Sequence, residues 1–281
     1  MAFLKVVEVF PPSFPVHAAG EAPINTEERL ERFVEEVRSM QKLADIILVA
    51  DVKDPRLLKV SSIEAATILR RRLGVNAAPV LVVRDSNRLR FLSCVLTTIS
   101  LELETMTIVW GDAYPPTARS SNVRDFPSLT DAIAEASTIR RRSRASTLFL
   151  APVDMEGLAQ PRGVALARGR LKAGADYLLA QPPTTDAQET FDRHAGLLRS
   201  LGLKESVLLN LFPFRDKEDV EQCEKYFGWK LPASLRRAAS EGKNSLQTRE
   251  REVVQRLRDE NFPGIYLNTR GEPGVAERLL S

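Results

Sequence analysis

The chain has 281 residues, and its 40 Lys and Arg against 37 Asp and Glu leave a net charge of +3, too even a balance to gather nucleic acid or an anionic membrane surface. With 43% hydrophobic and 27% charged residues it is no disordered chain, and two cysteines, Cys94 and Cys223, make no disulfide framework and fit a reducing, cytoplasmic setting. No apolar run reaches the roughly 18 residues of a membrane span, and the opening MAFLKVVEVF is too short, and carries Glu8, for a signal peptide.

Taken in chain order, strands and helices alternate. Lys5–Phe10 (KVVEVF) is a short β-rich run stopped by Pro11-Pro12. Leu30, Phe33, Val34 and Val37 share one face of a helix over Thr26–Leu43, with Thr26 as its N-cap. Ile46–Ala50 is the next apolar burst. Ser61–Leu73 reads as a helix stopped by Gly74. The couple recurs as Pro79–Val83 with a helix over Leu89–Leu101, and as Met106–Trp110 with a helix over Ser128–Arg142. It recurs again as Ser146–Leu150 with Val164–Lys172, and as Tyr177–Ala180 with Ala187–Leu201. Val207–Leu211 precedes helices at Asp219–Phe227, Pro232–Ala239 and Leu246–Glu260, and Gly264–Leu267 precedes a last short helix from Pro273. The basic run Arg140–Arg144 falls at a helix C-terminus, where cations complement the dipole.

Eight strands, each followed by helix and each apolar along its whole length, predict a parallel sheet buried on both faces. The open doubly wound sheet is the competitor, but eight βα units in this length favour the α/β class in its (β/α)8 TIM-barrel form, as a single domain over residues 1–281. In that fold the chemistry sits at the C-terminal mouth. The polar residues there are Glu8, Asp51, Arg84-Asp85, Asp112, Asp154, Gln181, and Asn268 with Arg270. Glu8, flanked by Val7, Val9 and Phe10, faces partial desolvation, which pushes a carboxyl toward neutrality and suits a general acid. A salt bridge to a neighbouring strand is the alternative. Asp112 could stay ionised beside an electron-poor ligand or serve as a turn carboxylate. Gln181 can donate and accept together, as the lactam-type edge of a pterin or flavin requires.

Nucleotide-binding glycine loops are missing, and His17, His194 and the two cysteines hold no metal-ligand spacing, so no metal is expected. His194 reads as solvated on a polar helix, His17 as a loop residue at the mouth, Cys94 as buried, and Trp110 and Trp229 as packing residues.

At these strand ends the sequence resembles the methylenetetrahydrofolate reductase family. Val7-Glu8-Val9-Phe10-Pro11-Pro12 is similar to the family's opening Phe-Glu-Phe-Phe-Pro-Pro, and Gly111-Asp112-Ala113-Tyr114-Pro115-Pro116 to its Gly-Asp-x-Pro-Pro turn. Ala173-Gly174-Ala175-Asp176 with Gln181 resembles its Ala-Gly-Ala-Asp…Thr-Gln segment. Phe212-Pro213 stands at its strand-seven Leu-Pro, and Tyr266-Leu267-Asn268 at its closing Tyr-Thr-Leu-Asn. The resemblance spans most of the chain. It implies reduction of 5,10-methylenetetrahydrofolate, or a related tetrahydropterin, to the 5-methyl form with NAD(P)H and FAD, in the one-carbon metabolism that feeds methionine biosynthesis.

By that resemblance Glu8 is the general acid, Asp112 binds the pterin and steadies its positive charge, and Gln181 lies by the folate and hydride donor. Phe212 falls near the family's aromatic stacking position, and Asn268 and Arg270 join it as substrate-side candidates. Asp51, Asp154, Arg168 and Arg170 are the cofactor-side candidates, the two arginines for a pyrophosphate, with solvent-facing helix charges as their alternative and favoured reading. The flavin-side motifs depart from the family: Val49–Pro55 replaces a glycine-rich turn, Val80–Val83 replaces His-x-Thr-Cys, Ala151–Asp154 replaces Gly-Tyr-Pro-Glu, and Gly163 stands where an acidic residue is expected. Three consequences stay open: FAD is held through other contacts, hydride passes straight from NAD(P)H to the folate, or the barrel is a divergent one with another substrate. The alternatives are a non-catalytic folate- or flavin-binding subunit of a redox complex and a pterin-dependent methyltransferase-like barrel. The expected partners are a small-molecule folate or pterin and either a second copy or a redox subunit, with no nucleic acid and no membrane.

Overall fold

The structure, a computed structural model, describes residues 3–15, 25–51, 57–84, 86–111 and 125–281. Strand β1 (Leu4–Val9) is followed by β2 (Ser13–Pro15), α1 (Thr26–Met40), β3 (Ile46–Val49), β4 (Leu57–Lys59) and α2 (Ser62–Leu73). Then come β5 (Ala77–Val82), α3 (Arg88–Ser100), β6 (Thr105–Val109), α4 (Leu129–Arg142), β7 (Leu148–Asp154), α5 (Pro161–Ala173), β8 (Tyr177–Gln181) and α6 (Glu189–Ser200). The chain ends with β9 (Val207–Leu211), α7 (Lys217–Phe227), α8 (Ala233–Glu241), α9 (Lys243–Asp259), β10 (Gly264–Asn268) and α10 (Pro273–Leu280). Eight parallel strands close in the order β1-β10-β9-β8-β7-β6-β5-β3, with β1 also paired to β3, so the fold is the predicted (β/α)8 barrel.

Two periodicities build it. Along each strand alternate side chains face opposite ways. One set, including Val6, Ile46, Leu48, Val80, Leu150, Leu179, Leu208 and Tyr266, fills the barrel interior. The other set, including Val7, Val9, Ile47, Val49, Leu81 and Ile265, packs outward against helix residues such as Phe33, Val34, Val37, Leu69 and Phe191. Both faces are dry, which is why the strands carry unbroken apolar runs. Helix α2 shows the local logic. The Ser61 hydroxyl accepts from the Glu64 amide at 3.2 Å, and Gly74, at φ +68°, ends the helix in the left-handed region.

Several expectations need correction. The α1 cap is Asn25, whose Oδ1 accepts from the Glu28 amide at 3.0 Å, not Thr26, which is the first helical residue. Strand β7 starts later than expected and runs on to Asp154, because Pro152 sits inside the ladder opposite Leu179 rather than ending it. The antiparallel pair β2–β4 escaped notice, since three-residue strands carry no readable period. His194 is buried, only 2% exposed, on the inner face of α6, and Cys94 is half-buried rather than enclosed. The Arg140 guanidinium at the end of α4 is built into the fold. It pairs with Asp176 at 2.7 Å, donates to the Thr147 and Gly174 carbonyls, and lies 4.3 Å over the Phe149 ring. Among the described residues no helix is long and apolar enough to cross a membrane.

Candidate active site at the barrel mouth

All eight strands are parallel, so their C-terminal ends share one face. Two residues beyond the inward-facing Val6, Leu179, Leu208 and Tyr266 stand Glu8, Gln181, Asn210 and Asn268. The interior of the barrel thus changes from aliphatic to polar at its last layer.

Register places Glu8 opposite Asn268 and Val6 opposite Tyr266. The Tyr266 hydroxyl donates to Glu8 Oε2 at 2.6 Å, and the Asn268 amide donates to the same oxygen. The Thr269 hydroxyl donates to the Glu8 carbonyl at 2.8 Å, tying down the backbone of the strand end. Burial, then the Glu8 charge and its hydrogen bond, push the Tyr266 phenol well above its ordinary pKa. Tyr266 therefore keeps its proton and serves as a donor. The carboxyl group is fixed by two side chains of β10, a phenol and an amide, neither of which titrates near neutrality. Asn268 also accepts the Arg270 backbone amide at 2.9 Å, which links Glu8 to the segment after β10.

Beside this triad lies an amide pair. Asn210 Nδ2 donates to Gln181 Oε1 at 3.1 Å, so the polar group Gln181 still offers a ligand is chiefly its NH2, with two donors. Asn210 Oδ1 is buried and has no hydrogen-bond partner among the described residues. The peptide after Gln181, to Pro182, is cis. Behind the pair, the Thr184 amide donates to the Asn210 carbonyl at 2.7 Å, and the Thr184 hydroxyl meets His194 Nδ1 at 3.0 Å. Burial, reinforced by Arg193, lowers the His194 imidazole to about 4, so it is neutral.

Arg270, at φ +54°, lies 4.8 Å over the Phe212 ring and pairs with Asp219. Burial alone would raise the Asp219 carboxyl, but the Arg270 hydrogen bond and the Arg215 amide outweigh it and hold the group below its usual value. Phe212 is itself buried against Phe214 and Trp229, each at 5.3 Å, so Arg270 lies over one ring of an aromatic cluster.

Of the remaining candidates, Asp154 stands opposite Gln181 in the β7–β8 register. Asp51 is half-buried just after β3. Asp154 is exposed and accepts the Glu156 amide at 3.0 Å. Arg168 donates to the Leu201 carbonyl at 3.0 Å and Arg170 to the Pro152 carbonyl at 2.5 Å. Burial lowers the Arg170 pKa despite nearby Asp154. Both arginines thus donate to a backbone carbonyl of their own neighbourhood, and Arg170 Nε is buried with no hydrogen-bond partner among the described residues. Gly163 has a local reason: a Cβ there would stand 2.0 Å from the Gly157 carbonyl oxygen, so no acidic side chain can replace it. Gly111 is equally constrained, at φ +93° with Val82 Cγ1 2.5 Å from its would-be Cβ. His17, Asp85 and Asp112 lie outside the described residues, as do the family-like Ala113–Pro116. Among the described residues no group of three His, Cys, Asp or Glu could hold a metal.

Sequence reasoning assigned no role to Asn210 or Tyr266. An Asn inside the apolar VLLNL, two residues after an inward Leu, was the available signal for the first, and the pairing of β10 with β1 for the second.

No protein-family model and no curated protein matches the sequence. Solved structures do match in fold. An uncharacterised protein from Clostridium thermocellum that binds two copies of 5-methyl-5,6,7,8-tetrahydrofolic acid superposes with a TM-score of 0.64 at 13% identity, over 99% of this chain and 93% of that one. A chitinase from Cycas revoluta, in complex with (GlcNAc)3, gives 0.57 at 12% identity, over 98% and 97%. An oxaloacetate acetylhydrolase bound to oxalate gives 0.56 at 11%, over 98% and 78%. The last two are enzymes of unrelated chemistry, so the shared barrel does not by itself select a reaction.

Proposed function

We propose that the chain, acting as one barrel domain over residues 1–281, binds a reduced folate at its mouth and reduces 5,10-methylenetetrahydrofolate to the 5-methyl form. The observation that carries the reading is the Glu8 carboxyl group, fixed by Tyr266 and Asn268 and set beside the Gln181–Asn210 amide pair. The folate bound by the Clostridium thermocellum barrel supports the choice of ligand.

In this reading Glu8 delivers a proton to the bridging nitrogen that leaves. That carbon–nitrogen bond breaks, and its electron pair goes to the leaving nitrogen. The methylene carbon is left as an exocyclic iminium on the other ring nitrogen. Hydride from NAD(P)H, taken as a co-substrate, adds to that carbon and gives the methyl group. Positioned acid catalysis of this kind contributes about 10²–10⁴-fold. Tyr266 and Asn268 keep the carboxyl group aimed, and Gln181 offers donors to the pterin edge. Asp112 is assigned to the cation by the family resemblance alone. The mouth must also keep water from the iminium.

The test is NAD(P)H oxidation by the purified chain with methylenetetrahydrofolate, and its loss in Glu8→Gln with folate affinity retained. Unchanged turnover in that variant removes Glu8 from the mechanism. A second reading, a folate holder or methyl-transfer barrel without hydride chemistry, is favoured by the methylated folate in the similar barrel. Binding of 5-methyltetrahydrofolate with no oxidation of NADH or NADPH selects it.

A further inference from the structure

A cavity of about 220 Å³ lies beside the mouth, between the segments that follow β9 and β10 and helices α9 and α10. Four cations from four segments line it: Arg215 after β9, Lys243 at the start of α9, Arg270 after β10, and Arg278 in α10. Glu272 is its one acidic lining residue, and Gln247 adds an amide. Three of the cations have carboxylate partners: Arg215 with Glu272 at 2.7 Å, Arg278 with Glu250 at 2.5 Å, and Arg270 with Asp219. Each guanidinium has five N–H donors, so a single partner leaves others for a ligand. Among the described residues no carboxylate pairs with Lys243. Four cations against three acids leave the cavity one positive charge in excess. The first turns of α9 and α10 hold no acidic residue that would offset it.

We propose that this cavity is an anion subsite that takes a phosphate group. Donors converging from four segments suit a tetrahedral, multi-oxygen anion better than a planar carboxylate, which one guanidinium can satisfy. The volume admits a phosphate and a few further atoms, below the roughly 300 Å³ at which pockets for whole small molecules begin. β9 and β10 are the seventh and eighth strands of the ring, and loops after those strands are where barrels of this class frequently hold phosphate. The Thr269–Arg270 segment that lines the cavity also ties to Glu8 and Asn268, so a phosphate held here sits next to the candidate active site. The phosphate could be free inorganic phosphate or the phosphate of a nucleotide.

Calorimetric titration of the full chain, at ionic strength held constant with chloride, separates these sources. The probes are inorganic phosphate and adenosine 2′-monophosphate. The expected result is saturable phosphate binding with a Kd on the order of 1 mM, weakened at least tenfold by Lys243→Glu. Lys243 is exposed, so its replacement breaks no internal ion pair, and Arg215→Gln provides a second, independent reduction. Adenosine 2′-monophosphate binding more than tenfold tighter than phosphate identifies a nucleotide as the source; equal affinities identify phosphate alone. No saturable phosphate binding, or binding untouched by both variants, overturns the proposal. The readout involves no folate, so its failure is distinct from failure of the folate reading.

Discussion

Tyr266→Phe removes one oxygen and little else. The ring stays in the barrel interior with Val6, Leu208 and Leu179, while the 2.6 Å hydrogen bond to Glu8 Oε2 is lost. A hydrogen bond to a charged group contributes about 1.5–3 kcal/mol. Because Tyr266 is only 6% exposed, water does not readily replace its hydroxyl. The stability loss is therefore expected near the upper half of that range, about 2–3 kcal/mol by the same reckoning. Glu8→Ala removes the acceptor and costs stability too, but in the double variant the two losses overlap, since both remove the same contact. A denaturant-melt double-mutant cycle should give a coupling of about 1–2 kcal/mol, well outside the roughly 0.3–0.5 kcal/mol scatter of independent sites. Turnover, if Glu8 is the acid, should fall about tenfold in Tyr266→Phe for each 1.4 kcal/mol of lost orientation expressed in the transition state. Additive stability losses would refute the reasoning, because they would mean that phenol and carboxyl do not act as one unit.

The other outcomes concern pH, packing and the amide pair. Burial lowers the His194 imidazole to about 4 from its ordinary 6.5. Between those values the unfolded chain binds the extra proton, so this contribution is complete above pH 6.5 and is lost as pH falls toward 4. It amounts to about 3 kcal/mol at 1.36 kcal/mol per unit. Urea melts at pH 7 and pH 4.5 should show that dependence in the native chain and a shallower one in His194→Gln. Gly163→Ala drives a Cβ to 2.0 Å from the Gly157 carbonyl oxygen. Melting curves should record a loss of more than about 3 kcal/mol, beyond the usual range for a point change. Asn210→Leu leaves Gln181 without its 3.1 Å donor. Reduced-folate affinity, followed by fluorescence quenching, should fall about fivefold to tenfold, equivalent to about 1–1.4 kcal/mol.

The barrel was legible because its physics is periodic. Eight strands that must be dry on both faces announce themselves as apolar runs, and caps such as Ser61 and Gly74 mark helix ends by their own chemistry. Glu8 stood out as a carboxylate inside such a run. Asn268 was a candidate at its own strand end and Tyr266 was not, but the link of either to Glu8 was hidden: they reach it only because the last strand closes against the first, a pairing 260 and 258 residues distant in sequence. His194 was misjudged for a related reason. Helix α6 is rich in charges, yet the face carrying Phe191, His194 and Leu198 turns inward, where Thr184 supplies the polar partner that burial demands. Cofactor-side arginines are equally opaque to sequence, since the same residue type serves a pyrophosphate or a neighbouring carbonyl; Arg168 and Arg170 each reach one such carbonyl, of Leu201 and Pro152.

The central claim, a reduced folate seated at the mouth against Glu8, is met most directly by crystallography of the chain with 5-methyltetrahydrofolate. The account predicts pterin density within hydrogen-bonding distance of Glu8 and of the Gln181 amide. Density at another face of the barrel, or none at saturating ligand, would contradict it.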